Sequence, residues 1–241
     1  MTDYPLKLET KARLNHVSVA TLSTALFKRG LRHQVIQDVR PVSAKGRNMV
    51  GPAFTLRYIP AREDRNTLAV FRNPEHPQRH AIETCPPGSV MVIDSRRDPR
   101  VASAGDILVS RLMVRGVAGI VTDGGFRDAM NIARLEMPAY HSRASSPTNL
   151  TNNEAIDINV PIGCGDVAVF PGDILVGDDD SVIVIPAELA DEVAEEATEM
   201  TAYEDFALEQ VMRGASIIGL YPATKEENLA RFAEWRRANG R

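Results

Sequence analysis

The sequence predicts an α/β fold with helices at its C-terminal end, and three patterns lead to this prediction. The middle of the chain alternates strand-like and helix-like runs, which favours parallel strand pairing. Residues 156–186 instead carry short apolar runs separated by Gly-Cys-Gly-Asp, Pro-Gly-Asp and Gly-Asp-Asp-Asp, which are turn signals between short strands. Beyond residue 186 the apolar spacing is helical.

Apolar periodicity and end signals predict the individual elements. The first helix is expected at 18–29, because Ser18 is a suitable N-cap and Gly30 a suitable stop. A strand is expected at 50–59, ended by Pro60. The alternating region then predicts a helix at 78–84, a buried strand at 89–94, a helix at 107–114, a strand at 117–121 and a helix at 129–135. Two further helices are expected at 187–212 and 225–238.

Composition excludes several classes of protein. The 241 residues carry a formal net charge of −4, which argues against a basic nucleic-acid-binding face. Cys85 and Cys164 form neither a metal-binding spacing nor a disulfide framework, which favours a reducing compartment. No apolar run is long enough to span a bilayer. We therefore expect a cytoplasmic protein without nucleic-acid or membrane partners.

The most informative segment is GDILVSRLMVRGVAGIVTDGGFRD, residues 105–128. It places Asp106 at a helix start and Arg127-Asp128 after a short strand and two glycines. In one interpretation these residues are a first-turn acid, a surface ion pair and an N-cap, with the glycines in a tight turn. In the other, the helix start binds a small anion, the carboxylates hold a hard divalent cation, and the arginine stabilises an oxyanion. Residue types alone leave both interpretations open.

Other candidate motifs are weaker. His76 and His80 have helical spacing, but Pro77 lies between them and no acidic partner completes a zinc motif. The aspartates at 178–180 are interpreted as a hairpin turn rather than a calcium site. A Schiff-base mechanism needs a desolvated lysine in the pocket, and the lysines stand outside the central region, at positions 7, 11, 28, 45 and 225. Any carbonyl chemistry would therefore depend on a metal ion.

Two segments of the chain together resemble a known family. They are residues 105–128 and PGDILVGDDDSVIVIP at 171–186, and their order and sequence resemble the RraA-like family, which includes the 4-hydroxy-4-methyl-2-oxoglutarate aldolases. The resemblance implies a swivelling β/β/α fold, and a homotrimer or a hexamer of two trimers with active sites between subunits. Because no repeat or linker divides the chain, we expect an RraA-like aldolase domain at 1–200. A C-terminal helical extension at 201–241 would pack on the core or on a neighbouring subunit.

The resemblance also implies an activity and a site. The activity is that of a metal-dependent lyase that cleaves a 4-hydroxy-2-oxo acid to pyruvate and a second carbonyl compound, with oxaloacetate decarboxylation as a side activity. Asp128 would bind Mg²⁺ or Mn²⁺ directly, and Arg127 would contact the keto oxygen and stabilise the enolate. Asp106 would hold coordinated waters or take part in proton transfer. The pyruvyl carboxylate would be bound by backbone N–H groups of Gly105, Asp106, Ile107 and Leu108.

One position departs from the aldolase pattern. A carboxylate usually stands three residues after the metal-binding aspartate, and here Asn131 occupies that place, although its amide can still hydrogen-bond a coordinated water. The alternative function is that of a non-catalytic RraA-type regulator that binds a ribonuclease. Asn131 favours this alternative, whereas the retained Asp106, Arg127 and Asp128 favour the aldolase.

A stretch outside the two family motifs also carries charged side chains. It is RNPEHPQRHAIETCPPG, residues 72–88. Its candidates for substrate contact are Arg72, Arg79 and His80, and it also contains His76. We interpret this stretch as selecting the distal part of an acidic substrate.

Overall fold

One long strand, Met49–Pro60, organises the fold, because other strands pair along both of its edges. The computed structural model describes residues 5–240. Within them the strands are β1 (Arg40–Pro41), β2 (Met49–Pro60), β3 (Val90–Asp94), β4 (Ala102–Ala104), β5 (Gly119–Thr122), β6 (Gly125–Phe126), β7 (Ala139–His141), β8 (Arg143–Ala144), β9 (Asn153–Ile158), β10 (Ile162–Cys164), β11 (Val167–Val169), β12 (Ile174–Gly177) and β13 (Val182–Ile185). The helices are α1 (Leu8–Leu14), α2 (Val19–Lys28), α3 (Pro77–Thr84), α4 (Asp106–Val114), α5 (Ala129–Ala133), α6 (Ala190–Met212) and α7 (Glu226–Asn239), and a 3₁₀ helix lies at Leu68–Arg72.

The main sheet combines a parallel and an antiparallel part. Its strand order is β1-β7-β5-β3-β2-β12-β13, and β9 also pairs with β2. Strands β2, β3, β5 and β7 run parallel, as the alternating strand and helix patterns predict. Strands β9, β12 and β13 are antiparallel to their neighbours, and the short strands predicted beyond residue 155 are present. The first half of β2 pairs with β12 and its second half with β9, so this one strand joins both parts.

The parallel strands are buried on both faces. In β3, Met91 and Ile93 pack in the cluster that includes α3, α4 and α5, whereas Val90 and Val92 pack in the cluster on the opposite face. A continuous apolar run is what a central parallel strand requires, since neither of its faces meets water. This explains why the sequence of β3 shows no alternation of polar and apolar residues.

The N-terminal and C-terminal helices form a separate layer on the antiparallel part. Leu22 and Leu26 of α2 and Val193 of α6 pack with Val50 and neighbouring strand residues. The α2 prediction is confirmed in detail, because the Ser18 hydroxyl accepts a hydrogen bond from the Thr21 N–H at 3.1 Å. Helix α6 continues past this layer, and α7 packs against its second half. A division of the chain at residue 200 stays a prediction. Among residues 5–240, no helix has both the length and the apolar character that a membrane crossing requires.

A second, three-stranded parallel sheet positions the candidate site. Its order is β4-β6-β8, and each strand follows one strand of the main sheet in the chain, namely β3, β5 and β7. The small sheet therefore continues the chain beyond the carboxyl ends of the parallel strands. Gly125 lies in β6, so the two glycines carry the chain from one sheet to the other and are not a reversing turn.

Candidate functional site

The start of α4 forms one wall of the candidate site. Gly105 occupies the N-cap position with an extended backbone, and the helix begins at Asp106. The first N–H groups of a helix have no partner within it, and the helix dipole favours a negative group at this end. The N–H of Leu108 already donates to the Gly105 carbonyl oxygen at 3.1 Å. Of the predicted group, the Leu108 N–H is thus engaged within the helix, whereas those of Asp106 and Ile107 belong to the first turn, where an anion can bind.

Strand β6 brings Arg127 and Asp128 to the same wall. It pairs in parallel with β4, and the Arg127 N–H donates to the Ala104 carbonyl oxygen at 3.1 Å. A Cβ atom on Gly105 would lie 2.9 Å from Arg127 Cγ and 3.0 Å from Asp128 Oδ2. Glycine at 105 is thus what allows these two side chains to approach the start of α4.

The conformation of Asp128 argues against a capping role. Its backbone is left-handed, with φ 55° and ψ 33°, which is uncommon for a residue other than glycine. It stands directly before α5, but its side chain makes no capping hydrogen bond to the helix. Instead, Asp128 Oδ2 lies 3.1 Å from Arg127 Nε, and the side chain is 37 % exposed. Asp128 therefore occupies the N-cap position of α5 without capping the helix through its side chain, and the carboxylate is accessible to a ligand.

Asn131 links α5 to the start of α4. Its Nδ2 donates to Asp106 Oδ2 at 2.8 Å. A carboxylate at this position would repel Asp106, whereas the amide holds it in place. Where the aldolase pattern has a carboxylate, this chain thus has a direct hydrogen bond from Asn131 to Asp106.

All residues predicted for the site line one cavity of about 470 Å³. They are Gly105, Asp106, Ile107, Leu108, Arg127 and Asp128. Distant segments complete the wall with Leu68, Phe71, Gln78, Arg79, Thr148 and Asn149. Of these, the sequence had indicated only Arg79, because the others carry no motif and reach the cavity through long-range packing. The chemical role of each residue stays a prediction.

Asp123 does not join this cavity, although it belongs to the same segment. It is buried, and its carboxylate accepts hydrogen bonds from the backbone N–H groups of Ser95 at 2.7 Å, Arg97 at 3.1 Å and Gly165 at 3.2 Å. Burial raises the pKa of Asp123 to about 6, against the opposing effect of these three donors. Its three backbone hydrogen bonds fit the anchoring of loops.

The donor set fits a hydrated divalent cation. Asp106 and Asp128 supply carboxylate oxygens to one cavity from two separate elements. Mg²⁺ typically keeps several waters and uses one or two carboxylates together with oxygens of its substrate. Across residues 5–240 no cluster of three or more His, Cys, Asp or Glu side chains could cage a metal. His76 is buried and His80 Nδ1 lies 3.7 Å from a Glu75 carboxylate oxygen, so the two histidines give no support for zinc.

Comparison with known proteins identifies the family. The family model described as RraA-like (Aldolase/RraA) matches residues 19–184. The chain belongs to the RraA-like family. It is 35 % identical over 161 residues to a protein of Halalkalibacterium halodurans named "Putative 4-hydroxy-4-methyl-2-oxoglutarate aldolase", a match that covers 65 % of this chain and 69 % of that protein.

Two further relatives extend the comparison. Protein DlpA of Legionella pneumophila is 25 % identical over 205 residues, which is 85 % of this chain but 32 % of that longer protein. The crystal structure of Streptomyces coelicolor RraAS2, "an unusual member of the RNase ES inhibitor RraA protein family", has a TM-score of 0.74 at 29 % identity. It covers 86 % of this chain and 98 % of that chain. The predicted mixed α/β fold with C-terminal helices, of the RraA-like type, is thereby confirmed.

Proposed function

We propose that this protein is a metal-dependent aldolase that cleaves a 4-hydroxy-2-oxo acid to pyruvate and a second carbonyl compound. The observation that carries the proposal is the meeting of Asp106, Arg127 and Asp128 in one cavity at the open N-terminus of α4. Family membership and the relative with an aldolase name support it. Decarboxylation of oxaloacetate, which leaves the same enolate, is the expected side activity.

In this proposal, groups of the protein bind both the carboxylate and the keto oxygen of the substrate. The N–H groups of Asp106 and Ile107 hold the substrate carboxylate at the helix start. The Arg127 guanidinium donates to the keto oxygen and stabilises the enolate that remains after the C3–C4 bond breaks. Asp106, oriented by Asn131, receives the proton of the C4 hydroxyl through a water.

Asp128 would hold the Mg²⁺ or Mn²⁺ ion, with Asp106 bonded to its coordinated waters. When bound, such an ion would supply Lewis-acid polarisation of the keto group. Asp128 suits this role because its carboxylate has no capping bond to α5 and lies exposed in the cavity. Asn131 contributes by holding Asp106 and not by binding the ion.

We also propose that the active protein is a homotrimer or a hexamer with sites at subunit boundaries. Ile107 is 80 % exposed and Met130 is 73 % exposed, at the starts of α4 and α5 beside the candidate site. An oligomer that covers them would remove this apolar surface from water. Light scattering should give three or six times the 26.4 kDa chain mass, and a monomer at assay concentration would contradict the proposal.

The decisive test is pyruvate release, measured by coupling to lactate dehydrogenase. The panel contains several 4-hydroxy-2-oxo acids and oxaloacetate, each with Mg²⁺, Mn²⁺ or a chelator. Arg127→Ala should lower kcat by about 10²–10³, since it removes a donor to the developing oxyanion. Arg134→Ala, an exposed arginine just after α5, is the matched control and should retain activity. Unchanged turnover in Arg127→Ala would contradict the assigned role.

The regulator remains the rival function. It is favoured by Asn131 and by the likeness to RraAS2, which is described as a member of an RNase ES inhibitor family. The pyruvate-release assay distinguishes the aldolase from the regulator. If the folded protein releases no pyruvate from any compound under any metal condition, the aldolase proposal is replaced by the regulator.

A further inference from the structure

We propose that Arg79 is the residue by which this site distinguishes ligands with a second, distal carboxylate from ligands without one. The inference rests on the proposed function only in placing the 2-oxo acid at the start of α4. The recognition of the distal carboxylate is argued from the surroundings of Arg79 itself.

Arg79 is partly buried, and it has no acidic partner among the residues that the structure describes. Other shielded arginines of the chain do have partners, since Arg29 pairs with Glu192 at 2.6 Å and Arg115 lies 3.9 Å from Glu83. Among residues 5–240 no ion pair involves Arg79, and burial lowers the pKa of its guanidinium. Taking a charge from water without a partner costs free energy, which a bound anion would offset.

The guanidinium is held in a fixed place. Its central carbon lies 4.5 Å from the centroid of the Phe71 ring, and that ring packs edge-on against His76 with centroids 5.2 Å apart. Stacking on an aromatic face orients an arginine but does not neutralise its charge. Both Arg79 and Phe71 line the cavity that contains the start of α4. The arginine is therefore oriented before any ligand arrives.

The other polar side chains that line the cavity near Arg79 are uncharged. Gln78, Thr148 and Asn149 line it, and the Gln78 amide is fixed by donating to the Ser103 carbonyl oxygen at 2.8 Å. A phosphate dianion is usually bound by several cations or a helix N-terminus. A single guanidinium beside neutral amides suits a singly charged carboxylate, which it can bind through two parallel hydrogen bonds.

The cavity has room for a ligand that reaches both ends. Its volume of about 470 Å³ lies within the usual range of sites for ligands larger than a three-carbon acid. The 2-oxo acid occupies the end formed by the start of α4. The distal carboxylate then occupies the end formed by Arg79.

The same segment offers a matched control. Arg72 ends the 3₁₀ helix at Leu68–Arg72 and is exposed, and it does not line the cavity. Replacing Arg72 by Met removes the same charge from the same segment without touching the proposed contact. Arg79→Lys retains the charge but loses the two-pronged geometry, so it should keep part of the preference.

The test compares two ligands of equal length by isothermal titration calorimetry with Mg²⁺ present. The ligands are 2-oxoglutarate and 2-oxopentanoate, which differ only in the distal carboxylate. Wild-type protein should bind 2-oxoglutarate about tenfold more tightly or better. In Arg79→Met the preference should fall to within about twofold, whereas Arg72→Met should retain it. Circular dichroism establishes that each variant is folded.

Three results would overturn the inference: equal affinities in the wild type, no binding of 2-oxoglutarate to the wild type, or a preference that survives in Arg79→Met. Pyruvate release is measured separately on the same proteins. If no compound releases pyruvate but the carboxylate preference depends on Arg79, the proposed function fails and this inference stands. If pyruvate is released but the carboxylate preference does not depend on Arg79, the proposed function stands and this inference fails.

Discussion

At the scale of single residues, two aspartates five positions apart have opposite surroundings. Asp123 is buried and accepts three backbone hydrogen bonds, so it ties together the loops that donate them. The side chain of Asp128 is 37 % exposed, and its carboxylate forms an ion pair with the neighbouring Arg127. The same residue type therefore anchors the scaffold at one position and is available to a ligand at the other.

We predict that Asp123→Asn changes the dependence of stability on pH. Burial raises the folded pKa of Asp123 to about 6 from an ordinary value of 3.8. The stability that the protonated group contributes is fully present below the ordinary value and is lost as pH rises through about 6. As pH rises from 3.8 to above 6, the free energy of unfolding of the wild type should fall by on the order of 3 kcal/mol relative to that of the variant.

Urea denaturation of both proteins across this pH window measures the difference. Asparagine has one acceptor oxygen where aspartate has two, so the variant also loses backbone hydrogen bonds at every pH. That loss shifts the variant's plot of unfolding free energy against pH by a constant amount. Only the difference in slope between the two plots tests the prediction. Parallel curves would mean that Asp123 does not carry a raised pKa.

We predict that Asn131→Asp tightens the binding of divalent cations. Asn131 Nδ2 lies 2.8 Å from Asp106 Oδ2, so a carboxylate there would add an oxygen ligand beside Asp106. Two neighbouring carboxylates repel each other without a cation and bind together with one. Calorimetry with Mn²⁺ should show a gain of about tenfold. Asn239→Asp, on the exposed end of α7, adds the same charge elsewhere and should leave the affinity unchanged.

At the scale of elements, the small sheet β4-β6-β8 fixes the site. The N-terminus of α4 follows β4, and Arg127-Asp128 follows β6, so paired backbone and not a free loop sets their separation. Ligand sites of α/β sheets lie at the carboxyl ends of parallel strands, where this sheet continues the chain. Functional groups mounted on paired strands keep their geometry within narrow limits.

We predict that Gly105→Ala removes activity and weakens metal binding while the protein stays folded. The added Cβ would lie 2.9 Å from Arg127 Cγ and 3.0 Å from Asp128 Oδ2, which forces both side chains to move. Misplacement of about 1 Å costs roughly 10²-fold in rate. The readouts are kcat/KM for pyruvate release and the affinity for Mn²⁺. Gly163→Ala is the control, because its added Cβ would meet nothing within 4 Å; wild-type values in Gly105→Ala would contradict the close approach.

The longer elements follow from local patterns in the sequence. The helix expected at 107–114 is Asp106–Val114, and the strand expected at 50–59 is Met49–Pro60. The aspartates at 178–180 form the expected turn between β12 and β13, where Asp178 Oδ1 accepts from the Ser181 N–H at 3.0 Å. The strands of the small sheet could not be predicted, because two or three residues are too few to show a period.

The candidate site was predictable only where its residues stand close together in the sequence. Gly105 to Leu108 and Arg127-Asp128 stand in one segment, so their motif indicates them together. Phe71 and Asn149 reach the cavity only through the packing of distant segments, which no local pattern encodes. The hydrogen bond between Asn131 and Asp106 likewise depends on the packing of α5 against α4.

At the scale of the whole molecule, the C-terminal helices have a small hydrophobic cluster of their own. Phe206, Ala207 and Leu220 are its buried members, with Tyr203, Phe232 and Trp235 among the residues packed against them. The first half of α6, including Val193, packs instead with the layer on the antiparallel part of the sheet. Helix α6 thus joins two cores, and the stability of the second need not equal that of the first.

We predict that Phe232→Ala loosens the C-terminal helices without opening the main sheet. The Phe232 ring centroid lies 5.0 Å from that of Tyr203 and 5.6 Å from that of Phe206. Each such aromatic pair contributes about 0.5–1.5 kcal/mol beyond its buried area, and these contacts are confined to the C-terminal cluster. Hydrogen exchange should therefore accelerate in the second half of α6 and in residues 213–239, while β2, β3 and β5 keep their protection.

Leu229→Ala, on the same helix but half exposed and outside the cluster, should leave exchange in the second half of α6 and in residues 213–239 close to that of the wild type. A uniform acceleration in Phe232→Ala that includes β3 would mean that the two cores open as one unit. Acceleration limited to α7 and the second half of α6 would mean that the cooperative boundary falls within α6, near the division predicted at residue 200. Because α6 is continuous through that point, the boundary would then be set by which core each turn of the helix packs against, and not by a break in the chain.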